Sequence, residues 1–213
     1  MRISKDPEER KNELMDAAEE LFLTAGYNET SVSDIVKKIS VAQGTFYYYF
    51  KSKEDIFVSI FARSSERAVS EMQKEARDKD KNALQKLVAV IGIYVKSRKN
   101  KDKDKLVQAL HYDENTGLHY KTIVQGIKQK EPVIEDIIKQ GVDAGIFHTE
   151  YPRQAAELIL TEFEFGLDPG VFEFNREQII EKSKALISMI EKILVLPDGE
   201  LYSIIKKHYM ALI

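Results

Sequence analysis

The sequence predicts an all-α fold, and three observations carry that prediction. Apolar residues recur at i, i+3, i+4 and i+7 through most of the chain. No stretch sustains the period-two alternation of a half-buried strand, so no sheet is expected. Capping residues stand ahead of the apolar stripes, and Gly or Pro follows several of them.

The elements follow in order. Asp6-Pro7-Glu8-Glu9 is a helix start: a capping Asp, Pro at the first helical position, acids in the first turn. Leu14, Ala17, Ala18, Leu21, Phe22 and Ala25 make its apolar stripe, and Gly26 ends it. Ser31 with Asp34 caps a short second helix carrying Val32, Ile35, Val36 and Ile39. A third, from about Ala42 to Phe50, places Phe46 and Phe50 on its inner face. Ser52 with Asp55 caps a fourth, whose stripe runs from Ile56 and Phe57 to Met72. The charged residues 73–82 read as a loop, Ala83 to Val95 as a helix, and Arg98 to Lys105 as a solvated charge run. Leu106 to Tyr112 reads as a short helix, and Gly117 to Ile146 as a long one, kinked or broken at Pro132. Two more helices, Arg153 to Gly166 and Asn175 to Leu196, flank the turn Asp168-Pro169-Gly170. The later one is apolar over a wide arc, so it needs two partners. After Pro197, Asp198 to Ile213 reads as a final helix with Leu201, Ile204, Ile205, His208 and Leu212 on one stripe.

Composition narrows the class. The chain has 213 residues, 43% apolar and 31% charged, and no cysteine. Disulfides and thiolate metal sites are therefore excluded, and a cytoplasmic location is expected. No apolar run approaches the ~20 residues that span a bilayer, so no membrane partner is expected. The charged start MRISKDPEERK is not a signal peptide, although Arg2 and Lys5 could reach along a DNA groove. Net charge is -3, yet between Ser31 and Lys53 four lysines (Lys37, Lys38, Lys51, Lys53) face Asp34 alone. There is no phosphate-cradling glycine loop, nucleophile elbow or motif-placed carboxylate pair, so no enzyme and no cofactor is expected.

The short second and third helices describe a helix-turn-helix. Burying Phe46 and Phe50 turns Gln43, Gly44, Thr45, Tyr47, Tyr48 and Tyr49 outward. Amides, hydroxyls and phenols are poor core material and good partners for base edges and phosphates. Gln43 can pair with adenine, the Thr45 methyl can meet a thymine methyl, and Tyr47 and Lys53 would position phosphates. Gly44 lets backbone approach backbone. Ser31 and Ser33 either cap the second helix or donate to phosphate from its N-terminus.

The run SVSDIVKKISVAQGTFYYYFKSKEDI resembles the DNA-binding signature of the TetR (tetracycline repressor-like) family, at Gly44, Tyr47, Phe50, Lys53 and Asp55-Ile56. It departs from that pattern at Val36 and Ile39, where small residues are usual, at Ser40, where glycine is, and at Ala42, where Ser or Thr is. The resemblance covers Leu14 to Phe57; beyond it the likeness is architectural. It implies a DNA-binding domain over residues 1–50 and a ligand-binding and dimerisation domain over 51–213. It also implies a homodimer on an inverted-repeat operator, and a repressor that a small-molecule effector releases. The dimer contact would run through Arg153–Gly166 and Asn175–Leu196, with Ile187 and Ile190 on it. The alternative is a helical protein-interaction module without sequence-specific DNA binding.

Aromatic residues at helical spacing are either core or cavity lining. Phe61, Tyr94, His111, Tyr112, Tyr120 and Phe163 are the candidates for an effector cavity. His111, Tyr112, Asp113, Glu114 and His119 match no compact metal site. Glu162 and Glu164 sit among apolar neighbours, where they could counter a cationic effector, face a second subunit or point to solvent.

Overall fold

The computed structural model describes residues 6–97, 115–168 and 171–209. Their regular structure is helical, with no strand among the described residues. They divide into two units: residues 6–64 with 115–122, and residues 65–97 with 123–168 and 171–209.

In the first unit, α1 (Pro7–Thr24) begins where the Asp6 side chain accepts a hydrogen bond from the Glu8 backbone N–H at 2.8 Å. α2 (Val32–Lys38) has a full capping box: the Ser31 hydroxyl accepts from Asp34 N–H, and the Asp34 carboxylate accepts from Ser31 N–H. The turn after α2 puts Ser40 at φ 56°, in the left-handed region. That conformation is what favours glycine at such a helix end, and Ser40 adopts it at a cost. α3 (Gln43–Tyr49) starts at Ala42, which has no side chain able to cap. Phe22, Ile35, Phe46, Phe50, Ile56 and Phe57 form the heart of this unit, each at most 2% exposed. Burying a side chain of this size contributes about 1.5–3 kcal/mol, which is what holds such short helices in place.

α4 (Lys53–Arg77) supplies Ile56, Phe57 and Ile60 to that core and Met72 and Ala76 to the core of the second unit. It runs well past Met72, so the loop expected over residues 73–82 is shortened to 78–82. Ala76, four residues after Met72 and 3% exposed, continues the stripe and explains the extra turn. α5 (Ala83–Ser97) opens on a reciprocal Asn82–Gln85 cap.

α6 (Thr116–Asp143) runs through Pro132 without a break, so of the kink or break expected there the break does not occur. One proline removes one backbone donor, while Val133, Ile134, Ile137 and Ile138 immediately after it are all buried. Its first residues contribute Leu118 to the first unit's core, and Lys121 there pairs with Glu54. Near its end Gly141 has no Cβ because the Phe147 ring lies there: an added Cβ would stand 2.0 Å from it.

α7 (Pro152–Thr161) passes into a π-helical turn, Glu162–Gly166. α8 (Arg176–Leu194) starts at an Asn175–Gln178 capping box and ends at Val195, at φ 56°. α9 (Glu200–Tyr209) is fastened by the buried Glu191 carboxylate, which accepts from Gly199 and Tyr202 N–H groups at 2.9 Å each. Leu201 and Ile205 are buried, whereas His208, further along the same stripe, is exposed. Ile187 and Ile190 were expected on the dimer contact. They are 3% and 0% exposed within their own unit, so they are core rather than dimer surface. The exposed apolar side chains of these helices are Leu158 and Met189.

The stub with Arg2 and Lys5, the charge run and short helix over 98–112, the residues His111, Tyr112, Asp113 and Glu114, and the last residues of the final helix lie outside the described residues.

Candidate nucleic-acid interface and ligand cavity

α3 presents a divided surface. Phe46 and Phe50 point inward, and Gln43, Gly44, Tyr47 and Tyr48 are exposed. Thr45 and Tyr49 are half-buried. Tyr48 is 78% exposed and packs edge-on against Tyr49 at 4.8 Å between ring centres. Tyr47 packs edge-on against Phe46 at 5.4 Å. The aromatic contacts limit how far the phenols can swing, so their hydroxyls are held ready at the surface.

Ser31 is committed to its cap: besides accepting from Asp34 N–H, its hydroxyl donates to the Asp34 carboxylate at 2.5 Å. The Ser31 hydroxyl and backbone hold the Asp34 carboxyl below the usual carboxylate range. Ser33 is exposed on the first turn of α2.

Lys53, expected to position a phosphate, is hydrogen-bonded within the chain. Its ammonium donates to the carbonyl oxygens of Tyr27, Thr30 and Asn28, at 2.8, 2.9 and 3.4 Å, and stands 4.3 Å over the Tyr27 ring. Partial burial pulls its pKa below the ordinary value, with Glu29 acting in the other direction. Burial, helped by the Glu54 charge, pushes the Tyr27 phenol up to about 12. The lysine therefore ties the α1–α2 connection to the start of α4. Lys37 and Lys51 are exposed near α3, while Lys38 pairs with Glu20 at 2.8 Å. Arg63, which drew no attention in the sequence, bridges Asp16 and Glu19 of α1 at 2.7 Å each.

The second unit holds a small, partly open cavity lined by Met72, Leu87, Val90, Ile91, Tyr94, Lys130, Ile134, Ile159, Leu160 and Phe163. Tyr94 and Phe163 are thus brought together as expected, with rings 5.1 Å apart and the Tyr94 hydroxyl donating to the Phe163 carbonyl at 2.7 Å. Phe61 and Tyr120 belong to the first unit, and Tyr120 is 60% exposed, so neither lines this cavity.

Lys130 is the residue that sequence reasoning missed. Its side chain is 5% exposed; its ammonium donates to the Gly126 carbonyl at 3.1 Å and ion-pairs with Glu164 at 2.9 Å. Of the readings open for Glu164, the structure gives a fourth: the counter-charge of a lysine in the same chain. Glu162 is exposed. A signal was present, because Ile123, Ile127, Lys130, Ile134 and Ile137 share one helical stripe, and a cation on it needs a buried partner.

A helix-turn-helix with an exposed polar second helix, on a chain whose other unit encloses an apolar cavity, defines a DNA-binding transcriptional regulator with a ligand domain. Comparison with known proteins makes that class particular. Residues 14–60 match the family model "Bacterial regulatory proteins, tetR family", and residues 97–189 match "Tetracyclin repressor-like, C-terminal domain". The chain belongs to the TetR family of bacterial regulatory proteins. It is 28% identical to a fatty acid metabolism regulator protein of Bacillus subtilis over 84% of this chain and 92% of that one. It is 23% identical to the regulator AcrR of Shigella flexneri over 83% and 87% of the two chains. Among solved structures, a fatty acid degradation regulator FadR from Bacillus halodurans shares the fold with a TM-score of 0.54 at 24% identity, over 90% and 96%. FadR from Bacillus subtilis, solved in complex with stearoyl-CoA, shares it with a TM-score of 0.56 at 24% identity, over 86% and 97%.

Proposed function

We propose that this chain is a repressor that binds an inverted-repeat operator as a homodimer and leaves it when a fatty-acyl ligand enters the cavity of the second unit. The observation that carries the DNA half is the divided surface of α3, with Phe46 and Phe50 inside and Gln43, Gly44, Tyr47 and Tyr48 outside. In this reading Gln43 and Thr45 read bases, and Ser33, Gly44, Tyr47, Tyr48 and Tyr49 fix register on the backbone. Residues 1–50 carry DNA binding, and 51–213 carry ligand binding and dimerisation through α7, its π-helical turn and α8.

The ligand half rests on the cavity walls, which are hydrocarbon and aromatic but for Lys130. The stearoyl-CoA bound by Bacillus subtilis FadR directs the choice among apolar ligands toward acyl chains. Two helices would carry the coupling. α4 contributes Phe57 to the first core and Met72 to the cavity; α6 contributes Leu118 to the first core and Lys130 and Ile134 to the cavity. The test is a gel shift with DNA from upstream of the chain's own gene, at two salt concentrations, with and without lauroyl-CoA. Specific retardation that lauroyl-CoA reverses is expected. Retardation equal for any DNA sequence would leave the interaction-module alternative standing.

A further inference from the structure

We propose that the Lys130–Glu164 pair makes the cavity select an acyl chain with an uncharged carbonyl head, an ester or thioester, over the same chain as a free carboxylate. This inference rests on the acyl-ligand reading above and adds which chemical form is recognised.

Lys130 is the one charged side chain lining the cavity among the described residues. Tyr94 brings a hydroxyl to the same walls, but that hydroxyl is already donating to the Phe163 carbonyl. Head-group recognition therefore falls to the Lys130 ammonium. An ammonium has three N–H donors. The Gly126 carbonyl accepts from it and the Glu164 carboxylate balances its charge as an ion pair whose Oε1 accepts no hydrogen bond, so donor capacity is left for a ligand. A carbonyl oxygen satisfies that donor without adding charge.

A carboxylate would do more than satisfy it. It would bring a second negative charge to a site whose single positive charge already has Glu164 as counter-ion, out of water. Like charges sharing one low-dielectric site disfavour each other, and desolvating the incoming carboxylate adds to the cost. Glu164 sits in the π-helical turn, a device often found at functional sites, and its Oε2 lies 3.3 Å from where a Cβ on Gly126 would stand. The glycine is thus what admits the carboxylate and ammonium to this corner of α6.

The cavity is small, so a medium-length acyl chain serves as the probe. The test is equilibrium dialysis of the full chain with lauroyl-CoA, and with labelled methyl laurate and laurate kept dilute enough to stay monomeric. Wild type should bind the ester at least tenfold tighter than the acid. E164Q leaves Lys130 without its counter-charge, so laurate should gain and the ester-to-acid ratio should fall at least tenfold. The double variant K130M/E164Q removes the ammonium donor as well as both charges, so its affinity for the ester should fall at least tenfold, while laurate stays disfavoured by desolvation. Circular dichroism checks folding, and if E164Q alone does not fold, the double variant decides through its ester affinity. A wild-type ester-to-acid ratio retained in folded E164Q, or a wild-type ester affinity in the folded double variant, would overturn the inference while leaving the acyl-ligand reading intact. If wild type binds neither lauroyl-CoA, methyl laurate nor laurate, the acyl-ligand reading falls, and this inference falls with it.

Discussion

At the scale of single residues, the two lysines show what a sequence pattern can and cannot reveal. Lys53 sits where a basic residue follows a recognition helix, and its spacing suggests a phosphate contact; in the chain by itself its ammonium clamps three carbonyls. Those carbonyls lie more than twenty positions upstream, a distance no local periodicity encodes. Lys53→Ala should therefore lower the stability of the folded chain by about 1.5–3 kcal/mol, the worth of hydrogen bonds to a charged group. The salt dependence of DNA binding should barely change, as urea unfolding and a salt titration together would show. Gln43, by contrast, is exposed as its spacing required. Gln43→Ala should cost about 1–3 kcal/mol of operator binding and relax preference at one base position, measured against a panel of single-base operator variants. Uniform loss across the panel would remove Gln43 from base readout. Asp34 gives a pH test. Its pKa is depressed in the folded state by Ser31, so its cap contributes stability that is complete above the ordinary value of about 3.9 and is lost as pH falls through the depressed one. In Ser31→Ala the Asp34 titration, followed by NMR, should move back up toward about 3.9.

At the scale of elements, caps and stripes were legible and interior partners were not. The Ser31–Asp34 and Asp6–Pro7 starts stand where the sequence places them, because a cap is a local device of three or four residues. The extension of α4 to Arg77 and the passage of α6 through Pro132 depend on packing against distant segments, which a single stripe does not reveal. α8 shows the same limit. Its wide apolar arc signalled two partners, but the structure alone separates the side serving its own core (Ile187, Ile190) from the exposed Met189. Leu158 plays the corresponding part on α7. A charge at Ile190 should unfold the chain, since an unpaired buried charge is among the costliest single changes. Met189→Glu and Leu158→Glu should leave the fold intact and weaken the dimer. Sedimentation velocity paired with circular dichroism would distinguish the two outcomes. A folded double variant that remains a full dimer would move the interface elsewhere.

At the scale of the whole molecule, the architecture was readable because it is written in helical periods, while the chemistry of the ligand site was not. Tyr94 and Phe163 could be nominated as aromatics, yet the Lys130–Glu164 pair joins residues from two separate helical segments, and only the fold brings them together. The central claim is that one chain couples two ligands, operator DNA and an acyl effector. Linkage requires such coupling to be reciprocal, and a typical magnitude of ~1–3 kcal/mol corresponds to a roughly 5- to 150-fold change in affinity. A dimer whose recognition helices must sit about one DNA turn apart, ~34 Å, offers a state that DNA prefers and an effector can disfavour. The most direct test is calorimetry of four titrations: operator into free and lauroyl-CoA-saturated protein, and lauroyl-CoA into free and operator-bound protein. The account predicts that each ligand weakens the other by the same factor, within the roughly 5- to 150-fold range. Affinities unchanged by the other ligand in both pairs of titrations would contradict it, leaving a DNA-binding dimer that this class of ligand does not control.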